Sequence, residues 1–211
     1  MTKAHKILFT IIFLVLAVAL TVQYWPEASA DPKSSDLHER LKAVSQLADR
    51  SDDESFEIVV ELTDDPELRV ARSAVRIIAS RLTKASEAKL KDIAVESKRG
   101  ALRGAAAAGL GYYKDTDCRL LTGMLLNDKD PAARAGAAKG LARLGDRAAI
   151  GDVLKAMADP DLAVRQNSYE ALGKLTARWF MFSPADAEQT RDAQLKKIRR
   201  LIVSLRTPHG H

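Results

Sequence analysis

At 211 residues, 46% hydrophobic and 29% charged, the chain is long enough for one ordered domain plus a targeting segment. Only 5% is aromatic while alanine and leucine abound, which argues against a β-sandwich and for helices, because alanine loses no side-chain entropy in a helix and leucine loses little. The formal charge of +5 comes from acids and bases that alternate along most of the chain, the pattern of a solvated mixed-charge surface, so nucleic acid is an unlikely partner.

Residues 1–30 have the three parts of an export signal. Lys3 and Lys6 form a positive head, Ile7–Val22 runs sixteen residues without a charge, and Ala28-Ser29-Ala30 offers a cleavage site before Asp31. A spanning helix takes about 20 apolar residues, so a retained anchor over residues 7–25, with Tyr24 and Trp25 at the interface, competes with a cleaved signal. Either outcome places residues 31–211 outside the cytoplasm, periplasmic or secreted if cleaved and anchored in the inner or plasma membrane if not. No cysteine stands at the end of the apolar run, which disfavours a lipoprotein. Residues 31–35 then form a short polar linker.

A leading helix is expected over residues 36–50, with Leu37, Leu41, Val44 and Leu47 on its apolar side. Beyond it the chain repeats. Arg72, Arg103, Arg134 and Arg165 stand 31 residues apart, and small or apolar residues recur around them at offsets −1, +3, +6, +7 and +10. Those offsets form one face of a 3.6-residue helix, and the +10 series Leu82, Tyr113, Leu144 and Leu175 belongs to it. A second apolar helix precedes each, with Phe56 and Val59, Leu90 and Ile93, Leu121 and Leu125, and Val153 and Leu154 inward. The spacing therefore predicts four units of two helices within about residues 53–178, with no room for a strand. Asp64-Asp65-Pro66, Asp130-Pro131 and Asp159-Pro160 set a capping carboxylate before a proline, and Ser97 takes that place in the second unit. The small residues Gly104 to Gly111 make the second unit's long helix thin, for close packing or, alternatively, for a hinge. After residue 178 the pattern breaks into Trp179-Phe180-Met181-Phe182 and a capping helix over residues 179–206 with Leu195, Ile198, Leu201, Ile202 and Leu205 toward the array, then a tail at 207–211.

Asp159-Pro160-Asp161-Leu162-Ala163-Val164-Arg165 followed by Ala171-Leu172-Gly173 resembles HEAT-like repeats, specifically the short variety of about 30 residues found in phycobilin lyases. The resemblance implies an all-α fold, an α-solenoid of stacked antiparallel helix pairs of the HEAT-like or armadillo-like kind, over residues 36–178. It also implies a structural ladder between neighbouring units. Its arginines are Arg72, Arg103, Arg134 and Arg165, and its carboxylates, six or seven residues upstream of each, are Asp65, Glu96, Asp128 and Asp159.

Trp179, Phe180 and Phe182 either fill the junction to the cap or anchor a partner. Cys118, the single cysteine, lies among Leu120, Leu121 and Met124 and reads as a buried, inert thiol. The histidines, His5, His38, His209 and His211, are scattered; no metal site, cofactor or catalytic motif is implied, and the chain reads as a non-enzyme. The leading expectation is an extracytoplasmic scaffold that binds another protein. A basic-surface binder of nucleic acid or anionic membrane, using cations of the later helices, is second. A lyase-type or chromophore-handling subunit is third, since fold resemblance does not carry activity.

Overall fold

The protein is described by a computed structural model covering residues 30–206. The signal or anchor expected at 1–30, with His5, Tyr24 and Trp25, lies outside the described residues apart from Ala30, as does the tail 207–211 with His209 and His211. In chain order the helices are α1 (Leu37–Leu47), α2 (Asp53–Leu62), α3 (Leu68–Ser80), α4 (Lys84–Glu96), α5 (Gly100–Leu110), α6 (Cys118–Asn127), α7 (Pro131–Leu144), α8 (Ile150–Ala156, after a 3-10 turn Arg147–Ala149), α9 (Leu162–Thr176) and α10 (Glu188–Arg206). No strand occurs among the described residues, and no helix there is long and apolar enough to cross a membrane.

Most helix starts are fixed by side-chain caps. Asp36, Asp52, Thr83, Asp117, Asp130 and Asp161 each accept a hydrogen bond from a first-turn amide, which satisfies donors that the helix leaves unpaired. Pro131 follows its cap at the first helical position. Asp65 and Asp159 do something else. The caps there are Glu67 and Asp161, and the two expected aspartates lie two residues earlier, accepting from the Glu67 and Asp161 amides at 2.8 Å. Ser97 holds the same place before α5 and accepts from the Arg99 amide at 3.3 Å, while Arg99 itself makes no side-chain cap.

Each unit pairs a first helix (α2, α4, α6, α8) with a second helix (α3, α5, α7, α9). The second helices stack side by side, α7 lying between α5 and α9, with the first helices packed behind them. One continuous apolar core runs between the layers, with Val59, Ile78, Leu90, Leu110, Leu121, Leu141, Val153 and Leu172 fully or almost fully buried. The close approach of α5 to α7 depends on glycine. A Cβ on Gly104 would collide with the Ala132 carbonyl, one on Gly136 with the Gly104 carbonyl, and one on Gly140 with the Ala107 carbonyl. Backbone meets backbone there, so the thin helix packs tightly against its neighbour.

The second helices begin at Leu68, Gly100, Pro131 and Leu162, so the first interval is one residue longer than the others. This shifts the first unit against the 31-residue pattern. Val70, Leu102, Ala133 and Val164 are the true equivalents, all buried, and Leu82 is 61% exposed, whereas Tyr113 and Leu175 are buried and Leu144 is partly so. Helix α1 also gains a meaning: it contacts α3 as the second helices contact one another, and is therefore the second helix of a half-unit. At the other end Leu195, Ile198 and Ile202 of α10 join the core, whereas Leu201 is exposed, contrary to expectation. Leu205 lies where no side chain is described.

Candidate functional site

The ladder comes first because it holds the stack in shape. Arg103 donates from Nε and Nη2 to the Asp128 carboxylate at 2.8 and 2.6 Å, and Arg134 makes the same fork with Asp159 at 2.7 and 3.0 Å. Arg40 of the half-unit does so with Asp65 at 2.7 and 3.3 Å. The remaining Nη1 donates to carbonyls of the arginine's own turn, such as Ser97 O for Arg103 and Asp128 O for Arg134. Each guanidinium thus clips its own unit to the next, and the partner carboxylate lies 25 residues downstream rather than six or seven upstream. A planar fork of five donors is suited to this bidentate bridge. These pairs are little exposed, and Arg103 beside it holds the Asp128 carboxyl below its ordinary value.

The ladder skips one rung. The helical register places Ala71, not Arg72, at the ladder position of α3, and Ser97, not Glu96, at the matching turn position. Both charges are absent together, so neither is left buried alone. Arg99 compensates by reaching back to the first unit's turn, donating to Asp65 O at 2.6 Å and Thr63 O at 2.7 Å. At the C-terminal end Arg165 meets no carboxylate among the described residues and donates to Pro184 O at 2.8 Å instead. The segment before α10 in this way stands in for a further unit.

The residues at 179–182 divide. Phe182 is buried in the core and packs near Tyr169 at 5.6 Å between ring centres, so it is not an accessible anchor. Phe180 is half-buried, and its carbonyl accepts from the Tyr169 hydroxyl at 2.7 Å. Trp179 is 66% exposed, yet it rests edge-on to Tyr169 and against Gly173, leaving no room for a Cβ there. Met181, 93% exposed, is the freest of the four.

A different surface has the form of a binding site. Over the second-helix layer runs a groove of about 690 Å³, lined by residues of α3, α5, α7 and α9 and the turns after α3 and α5. Its floor is alanine and glycine, including Ala101, Gly104, Ala105 and Ala108 of α5 and Ala132 and Gly136 of α7. Side chains this small leave depth where ordinary helices would fill it. Arg72 and Arg76 of α3 and Lys139 and Arg143 of α7 also line it, with no acidic residue. All four are exposed. Among the described residues Arg72, Arg76 and Lys139 meet no carboxylate at ion-pair distance. Arg143 donates to the Ala108 carbonyl and lies 4.5 Å from the centre of the Tyr112 ring. Leu82 and Tyr112, 61% and 55% exposed, supply large apolar surface to the same groove.

Arg72 therefore belongs to the groove and not to the ladder, because one extra residue in the first interval turns it outward. Arg76, Lys139 and Arg143 were missed in the sequence, although Arg72/Arg76 and Lys139/Arg143 are each spaced i,i+4 and so share a helix face. Cys118 is half-buried at the start of α6, and its thiol is pushed up to about 11, first by burial and then by the Asp146, Asp117 and Asp152 carboxylates. Among the described residues no three His, Cys, Asp or Glu side chains gather as metal ligands would.

Residues 118–189, from α6 into the start of α10, match the family described as HEAT repeats. Over that stretch the chain is similar to HEAT repeats. The matched stretch holds two complete helix pairs, and the same stacking of second helices continues back from it to α1. The match is to HEAT repeats as a class and does not single out the phycobilin-lyase variety. Solved structures of similar shape include an engineered protein, at TM-score 0.44 and 16% identity over 70% of this chain and 78% of that one. A designed armadillo repeat protein also has TM-score 0.44 and 16% identity, covering 85% of this chain and 90% of its own. No curated protein matches the chain.

Proposed function

We propose that the chain is a non-catalytic scaffold that binds another protein through the groove of its HEAT-repeat stack, outside the cytoplasm. The observation that carries this reading is the groove itself: an apolar floor with uncompensated cations at its sides, on a frame braced by repeated arginine clips. A rigid stack of helix pairs offers a long surface that partners can use with little change of shape. The extracytoplasmic placement rests on residues 1–30, where Lys3, Lys6, the run Ile7–Val22 and Ala28-Ser29-Ala30 have the order of an export signal.

Two measurements test the two halves. Sequencing the N-terminus of the protein from fractionated cells should give Asp31 in a soluble extracytoplasmic fraction or an intact start in the membrane fraction; an intact chain in the cytoplasm would overturn the placement. Cross-linking on intact cells followed by purification should recover one stoichiometric protein partner, and its consistent absence would overturn the scaffold reading.

A second reading, attachment to an anionic surface, draws on α10, where Lys196, Lys197, Arg199 and Arg200 are all exposed. It predicts steeply salt-dependent binding that is lost when these four are neutralised.

A further inference from the structure

Building on the scaffold reading, we propose that the groove over α3, α5 and α7 receives an acidic segment of the partner protein, one that carries large apolar side chains between its carboxylates. The charge is one-sided. Arg72, Arg76, Lys139 and Arg143 line the groove, and no acidic residue does, in a chain whose charges alternate in sign along most of its length. Such a cleft attracts anionic groups, and low-dielectric walls focus the field. The floor asks for something more than charge. Alanines and glycines offer neither donors nor bulk, so only an apolar side chain fills the space without leaving polar groups unpaired.

Leu82 and Tyr112 point to the same occupant. Both are more than half exposed, and both line this groove. Leu82 is moreover held at φ 53°, a left-handed conformation that costs a branched side chain and that glycine would take without strain. A leucine held in that conformation and 61% exposed gains little from the fold, whereas a bound apolar residue would cover it.

Nucleic acid fits less well. The cations could meet phosphates, but the alanine and glycine floor offers base edges no side-chain donor or acceptor, and Tyr112 is the one aromatic ring lining the groove for stacking. A planar bilayer cannot enter a groove sunk between helices.

The test uses the full-length chain in nanodiscs of zwitterionic lipid, with fluorescence anisotropy of labelled probes. The probes are a peptide of alternating glutamate and leucine, its lysine–leucine counterpart, and an oligothymidylate of similar length. The acidic peptide is expected to bind saturably and more weakly as salt is raised, while the basic peptide does not bind. Arg76→Glu with Lys139→Glu should lower affinity about tenfold or more, whereas Lys114→Glu with Lys174→Glu, an equal change of net charge outside the groove, should not. Leu82→Gly should also weaken binding while leaving the melting temperature unchanged or raised, which a merely structural leucine would not do.

No saturable binding of the acidic peptide would overturn the proposal. So would equal losses in the two charge-reversed pairs, or a preference for oligothymidylate abolished by the groove variant, which would make the groove a nucleic-acid site. The two claims fail separately. A cross-linked partner retained by the groove variant overturns the acidic-segment assignment alone, and the scaffold reading falls only if no partner is found.

Discussion

Arg103 and Asp128 illustrate how a clip between units depends on both of its members. Removing one leaves a poorly solvated charge, so Arg103→Ala or Asp128→Ser alone should cost about 3 kcal/mol, measurable by urea unfolding. The double variant reproduces the natural Ala71/Ser97 rung and should cost well below the sum, by about 1–2 kcal/mol. The Asp128 carboxyl is lowered from 3.8 in the folded protein, so its folded value lies below its unfolded one. Its contribution is therefore complete above about pH 4 and fades as pH falls through the depressed value. Unfolding free energy followed against pH should show a shallower acid limb in Asp128→Asn than in the wild type. Cys118 adds a second residue-scale test: with its thiol pushed up to about 11, alkylation at pH 8 should be slow in the folded chain and rise sharply on denaturation.

At the scale of elements, the glycines of α5 and α7 separate two roles that look alike in the sequence. Gly123 in α6 faces open space, so Gly123→Ala should gain about 0.5–1 kcal/mol of helix propensity. Gly136 touches the backbone of Gly104, so Gly136→Ala must push α5 and α7 apart and should cost about 1–3 kcal/mol in spite of the same propensity gain. Thermal melts of the two single variants should move in opposite directions. The same tight packing leaves the groove above it deep, so one set of small residues serves both cohesion and the site.

At the scale of the whole molecule, a stack of repeats needs closed ends, because the last unit otherwise exposes an apolar face. Arg165 on the Pro184 carbonyl, Phe182 in the core, and Leu195, Ile198 and Ile202 of α10 close one end. Phe182→Ala should cost about 3–5 kcal/mol and bring concentration-dependent aggregation, seen by light scattering.

How much of this was legible in the sequence varied with the range of the interaction. The helices, their pairing and the inward faces of the last three units follow from periodicity and capping, which are local and repeat with the chain. The likeness of residues 118–189 to HEAT repeats was legible for the same reason. A ladder between units was expected, and Arg103, Arg134, Asp128 and Asp159 do belong to it; what escaped was which residue pairs with which across the units. A one-residue change in the first interval is invisible against a row of arginines 31 residues apart, yet it moves Arg72 from ladder to groove and turns Leu82 outward. The clip joins an arginine to a carboxylate 25 residues on, a distance that only stacking brings together. By itself, then, the sequence determined the helical pairs and their repeat. Tertiary structure alone decided which arginines bind the units and which face the groove, because a helix face acquires its role only when the next helix covers it or leaves it bare.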